Sequence, residues 1–177
     1  MALALKSLEI NMGISLQPYK YIIHKSDYYS FITDSGAEYI CYFSPYGMYF
    51  KNYPELSPKI FDFNLELKNK TTKTFGTDKR IADTVITIVG EFLNSKVNAV
   101  VYVCDPTDGK GYLRARKFKT WFNYYEHSSH QILQLNGDIN AGGITLYTGL
   151  LVHKKNKFRS QFIEAYLDLI DYDDNVK

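Results

Sequence analysis

A chain of 177 residues with 45% hydrophobic and 23% charged residues has the length and balance of one globular domain with its own core. A net charge of +2 excludes a polycation that would hold nucleic acid by field alone, and no apolar run approaches the roughly 18 residues of a membrane span. Cys41 and Cys104 lie far apart with no C-x-x-C pair, which argues against a disulfide framework and a structural zinc site and fits a reducing compartment.

The opening MALALKSLEI meets Lys6 and Glu9 too early for a signal peptide, so a cytoplasmic location is expected, with residues 1–14 as a loose leading segment. Residues 19–24 (YKYIIH) form a short strand-like run. YYSFIT and EYICYF, separated by Asp34-Ser35-Gly36, read as a hairpin over 28–43. The 16 tyrosines of the chain suit such strands, which are half buried or face a partner. After the turn at Ser44-Pro45-Tyr46-Gly47, residues 48–51 are expected to resume a strand, until Pro54 and Pro58 interrupt pairing. Residues 60–67 (IFDFNLEL) alternate, with Phe61, Phe63, Leu65 and Leu67 toward a core and Ile60, Asp62, Asn64 and Glu66 on the other side.

A polar loop then leads to a helix over 78–94, with Thr77 or Asp78 as its cap. Ile81, Val85, Ile88 and Phe92 make its apolar stripe, widened by Ala82, Val89 and Leu93. Residues 98–104 (NAVVYVC) are apolar without alternation, the mark of a central strand covered on both faces. The strand-helix-strand unit over 60–104 should place its two strands parallel.

Next comes CDPTDGKGYLRARKFKTWF, a turn followed by a helix over 111–125. Gly111, Ala115, Phe118, Trp121, Phe122 and Tyr125 share one arc of it, with Lys110, Arg116, Lys117 and Lys119 outside. Arg114 falls inside the apolar arc and needs a partner, with Asp105 and Asp108 the nearest candidates. It either ties the turn to the helix or faces a pocket at the carboxyl end of the central strand. DGKG lacks the spacing of a phosphate-binding P-loop or of a G-x-G-x-x-G fingerprint and reads as a turn. A strand over 130–135, a loop over 136–143, a strand over 144–153, a helix over 157–171 and a polar tail over 172–177 complete the chain. The fold expected is α+β: a mixed, mostly antiparallel sheet with three helices packed on its faces, in a single domain over 1–177.

Isolated chemical signals are weak. His127 and His130 stand three apart, but no further ligand completes a metal set, and none is expected. Cys104 lies beside Asp105, whose charge disfavours a thiolate. Basic residues cluster over 110–119 and 154–159, while the acidic end of the chain offsets their field.

Two resemblances add to this reading. The runs TDKRIADTVITIVGEFL, VVYVCDPTDGKGYLRARKFKTWF and LLVHKKN resemble a small bacterial family built on a domain of unknown function. The element order resembles the later part of GNAT-type N-acetyltransferases. There, antiparallel strands lead to a helix, a parallel strand, a second helix and two final strands. That resemblance implies an acetyl-CoA or other acyl-CoA cofactor. Its pyrophosphate would sit before the first helix, on a segment that this family writes R/Q-x-x-G-x-G/A. The matching segment is Lys73 to Asp78, with Gly76 in place and Asp78 where the pattern has a small residue. Lys73, Gly76, Thr77, Lys79 and Arg80 are thereby implied as cofactor contacts. Asp105, Asp108 and Arg114 would border the cleft. Glu66 is implied as general base, and Tyr112 or Tyr125 as general acid, since Phe118 stands where the family often has tyrosine. The competing reading is a non-catalytic module that binds protein or nucleic acid through tyrosine-rich strands and basic loops. A nucleic-acid partner is the less expected of the two; a protein partner or a homodimer stays open, and a membrane partner is not expected.

Overall fold

A computed structural model describes residues 17–69, 78–126 and 131–171. The strands are β1 (Tyr21–Lys25), β2 (Tyr28–Ile32), β3 (Glu38–Pro45), β4 (Ile60–Asn69), β5 (Ala99–Cys104), β6 (Ile132–Ala141) and β7 (Ile144–His153). The helices are α1 (Lys79–Leu93), α2 (Gly111–Glu126) and α3 (Arg159–Ile170). All seven strands join one mixed sheet in the order β1-β2-β3-β4-β5-β7-β6. Only β4 and β5 run parallel, on either side of α1; every other pair is antiparallel. The expected α+β architecture, with three helices on a mostly antiparallel sheet, is the one observed. Among the described residues no helix is long and apolar enough to cross a membrane.

The sheet has two cores because β5 is covered on both faces. Val100, Tyr102 and Cys104 join the core under α1 and α2, with Tyr29, Phe31, Phe43 and Phe63. Ala99 and Val101 join the core under α3, with Leu150, Val152, Phe162 and Tyr166. The unbroken apolarity of NAVVYVC follows from this double burial. In α1, Val85, Ile88 and Val89 are fully buried. Thr84 is buried as well, because its hydroxyl donates to the Arg80 carbonyl (2.6 Å) and accepts from the Tyr19 amide (2.8 Å). Cys41 and Cys104 are both buried free thiols.

Two expectations are corrected. Residues 48–51 form no strand; Gly47–Tyr49 is a single 3-10 turn. Pro54 and Pro58 follow this stretch and oppose strand pairing, and Phe50 buries itself against the α3 core instead. Gly47 is pressed on the backbone of Ser57, where an added Cβ would lie 2.1 Å from the Ser57 carbonyl oxygen. The loop expected over 136–143 is mostly strand, since β6 and β7 stay paired to Ala141↔Ile144. Only Gly142 and Gly143 turn, at φ of 56° and 80°, which suits a two-residue hairpin. Asn136-Gly137-Asp138 looks like a turn in sequence, but Gly137 is there for another reason. It lies under α3, where a Cβ would meet Ile170 Cδ1 at 2.7 Å.

Candidate functional site

The sheet comes apart at one place. β4 and β5 pair only as Ile60↔Ala99, Phe61↔Val100 and Asp62↔Val101. Beyond that vertex β4 continues to Asn69 bonded to β3 alone, and β5 continues to Cys104 bonded to β7 alone. A gap in the hydrogen-bond ladder therefore lies between the carboxyl-terminal ends of the two parallel strands. Along each facing edge, alternate residues turn their N–H and C=O groups into it. Such an edge can take up an extended ligand carrying amides of its own.

Asp62 stands at the vertex, on the α3 side of the sheet. It accepts a hydrogen bond from Asn64 Nδ2 (3.1 Å), yet burial dominates and raises its carboxyl from the ordinary 3.8 to about 6. Tyr46, in the chain leaving β3, lies within electrostatic reach of Asp62, Tyr49 and Tyr166, and burial pushes its phenol upward. The Tyr166 hydroxyl of α3 is fully buried and has no hydrogen-bond partner among the described residues. Thr148 lies beside it but directs its own proton to the Tyr102 carbonyl (2.8 Å). Sequence reading placed Asp62 on the side of the strand opposite its core-facing residues and gave it no role. The available signal was a carboxylate between two phenylalanines in a strand.

On the α2 side the gap is bordered by aromatic rings. Phe118 stacks on Tyr102 of β5 at 4.9 Å and meets Phe63 of β4 edge-on at 6.0 Å, so its ring lies across the gap. Tyr102 is fixed in turn: its hydroxyl donates to Asn136 Oδ1 (2.7 Å) and accepts from Gln134 Nε2 (2.9 Å). Gly149 gives the Tyr102 ring its space.

Of the residues implied as cofactor contacts, Lys73, Gly76 and Thr77 lie outside the described residues. Lys79 and Arg80 open α1, with Lys79 exposed. The Asp78 carboxylate caps this helix, accepting from the Arg80 amide (3.0 Å) and from the Tyr19 hydroxyl (2.8 Å). Arg80 is committed elsewhere. It donates through Nη1 to Asp34 (2.9 Å) and through Nε to the Gln17 carbonyl (3.1 Å), and it lies on the Tyr19 ring at 3.9 Å. A carboxylate thus occupies the place where a helix N-terminus would otherwise attract an anion.

The turn before α2 explains Arg114. Its Nη1 and Nη2 donate to the two Asp108 carboxylate oxygens, both at 2.7 Å, and Nη1 also donates to the Asp105 carbonyl (2.8 Å). This fork ties the turn to the helix and holds the Asp108 carboxyl down to about 2. The Cys104 thiol is pushed up to about 11 by burial, not by Asp105, while the nearby guanidinium pulls weakly the other way.

Glu66 and Tyr112, an implied base and acid, lie on opposite faces of the sheet. Glu66 is exposed on the α3 side and accepts from the Tyr42 hydroxyl (2.7 Å). Tyr112 is 56% exposed in the first turn of α2, its ring edge-on to Tyr147 on the opposite side of the sheet. Tyr125 belongs to the last turn of α2. His127 and His130 lie outside the described residues.

The model of a family of unknown function, DUF6169, matches residues 77–168, more than half of the chain. That match takes in α1, β5, α2, β6, β7 and most of α3. No curated protein matches the chain. A solved structure described as a CoA-dependent acyl-homoserine lactone synthase, MesI, aligns at a TM-score of 0.34 with 11% identity. The alignment covers 81% of this chain and 70% of that one. The chain belongs to the DUF6169 family.

Proposed function

We propose that this protein is a GNAT-like domain that receives the pantetheine arm of an acyl donor in the gap between β4 and β5. The observation that carries the reading is the early end of pairing at Asp62↔Val101. A pantetheine arm is linear and carries two amides, the chemistry that an unpaired strand edge satisfies. The acyl-CoA cofactor implied by the sequence resemblance contains that arm.

Asp62 is the group suited to proton transfer at this site, in place of Glu66. With a carboxyl near 6 it is mostly ionised at neutral pH and still basic enough to accept a proton. In an acyl transfer, an acceptor amine would form its new C–N bond at the thioester carbon, the C–S bond would break, and Asp62 would take the amine proton. A catalytically degenerate relative would retain the arm and lack the acceptor.

Calorimetric titration with octanoyl-CoA, desulfo-CoA and octanoyl-pantetheine tests the reading. Saturable micromolar binding of the compounds that share the arm is expected. Heats indistinguishable from buffer for all three would overturn it. They would favour the binding-module reading instead, which draws support from the capped N-terminus of α1 and from the Phe118 ring across the gap.

A further inference from the structure

α1 and α2 cover one face of the sheet, and α3 covers the β5, β6 and β7 part of the other. The rest of that second face runs across β1, β2, β3 and the later part of β4. Its residues follow from the register. Tyr42 lies opposite Tyr28 and Asn64, Ile40 lies opposite Ser30 and Glu66, and Ile22 lies opposite Ser30. Paired residues share a face, so all of these stand with Asp62 on the α3 side. Ile32, two residues beyond Ser30, shares that side. Among the described residues Ile22, Tyr28, Ile32, Ile40 and Tyr42 belong to neither core, and Ile22 and Ile32 are each 62% exposed. An antiparallel sheet with one solvated face turns polar residues outward. Three isoleucines beside two stacked tyrosines, with ring centroids 6.1 Å apart, instead form an apolar patch of the kind that meets a partner.

The patch lies between edges of opposite charge. Lys25 is opposite Tyr28 at the β1 edge, and Lys20 shares the side of Ile22 by alternation. Asp62 and Glu66 stand at the β4 edge. Among the described residues none of these four forms a salt bridge, whereas Lys68 and Glu38 on the same face neutralise each other at 3.0 Å. The two free carboxylates repel phosphate, which disfavours nucleic acid on the stacked tyrosines. An apolar centre between a cationic and an anionic edge is complemented by the same face turned over. A two-fold axis parallel to the strands, above β2 and β3, lays β1 of each copy over β4 of the other. Lys25 then faces the row of Asn64, between Asp62 and Glu66 of the second copy, and the contact occurs twice. An axis across the strands would instead lay β1 over β1 and set Lys25 against Lys20.

We propose that this protein forms a two-fold dimer through the open face of β1, β2, β3 and β4, with β1 of each copy over β4 of the other. The isoleucines and tyrosines fill the centre, and Lys25 between the two carboxylates fixes the orientation. Four strands spaced about 4.8 Å apart make a face about 19 Å wide, at the low end of what holds a dimer, so a micromolar dissociation constant is expected.

Sedimentation velocity of the full chain from about 1 to about 200 µM tests the proposal. Dimerisation within that range is expected, and it should weaken as salt rises. Lys25→Glu and Glu66→Lys should each weaken the dimer at least tenfold. The double variant Lys25→Glu/Glu66→Lys restores opposite charges and should return to within about threefold of wild type. Both side chains are exposed, so the melting temperatures of the variants check that the fold persists. Ile22→Ser with Ile32→Ser, two exposed positions, should also weaken the dimer at least tenfold. A monomer at every concentration would overturn the proposal. So would a dimer that neither charge reversal weakens, or one that the double reversal fails to restore. A monomer that binds a short single-stranded oligonucleotide, with the binding lost in Tyr28→Ala, would overturn it in favour of bases stacked on this face.

Discussion

Replacing Asp62 by asparagine should stabilise the protein at neutral pH. The Asp62 carboxyl is raised from 3.8 to about 6, chiefly by burial. A difference of about 2 units corresponds to about 3 kcal/mol between the charged and neutral forms. Asp62 is partly accessible, and screening by water reduces this to about 1–2 kcal/mol. The folded state holds the proton more tightly than the unfolded state does. The stabilising contribution is therefore complete below the unfolded value, near pH 4, and is lost as pH rises through about 6. Asparagine keeps an acceptor for Asn64 and carries no charge at any pH. Urea unfolding of both proteins from pH 4 to pH 8 provides the assay. The variant should match or fall slightly below wild type at pH 4 and exceed it by about 1–2 kcal/mol at pH 8, with the crossover between. A difference independent of pH, or a variant less stable than wild type at pH 8, would refute the argument. A half-buried carboxylate that lowers stability at working pH is expected where function sets the residue.

Three further outcomes are expected. Gly149→Ala should destabilise the fold by about 1–3 kcal/mol, because its Cβ would fall 2.4 Å from the Tyr102 ring. In a Tyr102→Ala background that penalty should vanish, and an equal penalty in both backgrounds contradicts the steric account. Arg114→Ala should return the Asp108 carboxyl from about 2 toward the ordinary carboxylate range, as read by NMR titration, and an unmoved titration would show that the fork is not its cause. His153 is buried, accepts from the Lys155 amide at Nδ1 (3.0 Å), and has its pKa lowered by burial and by Lys96 and Lys155. Its neutral form thus supports stability above about pH 6.5, and that support should fade as pH drops through the depressed folded value. The difference between wild type and His153→Gln should shrink over that window; two parallel pH profiles would refute this.

Much of the fold was legible because local signals and tertiary packing agree. The 3.6-residue stripe of α1 and the unbroken apolarity of β5 each answer to a core of the folded sheet. Arg114 was legible as well, since a charge on an apolar arc demands a partner and Asp108 is the one found. The misses have a common physical origin. Gly137 looked like a turn because glycine signals backbone freedom, whereas its role is to admit α3. Asp62 drew no role because alternation gives only the side of the strand, and Tyr46, which lies near it on that side, comes from elsewhere in the chain. The splay itself left no mark in the strand pattern. A strand edge facing a gap and one facing a neighbour carry the same side-chain alternation.

Hydrogen exchange of the backbone amides of β4 and β5, with and without saturating octanoyl-pantetheine, tests the central claim most directly. Ligand binding should slow exchange of residues 63–69 and 102–104 on the edges that face the gap, and leave the paired vertex at residues 60–62 and 99–101 unchanged. Unchanged exchange along both edges at a saturating concentration would contradict an arm held between the strands.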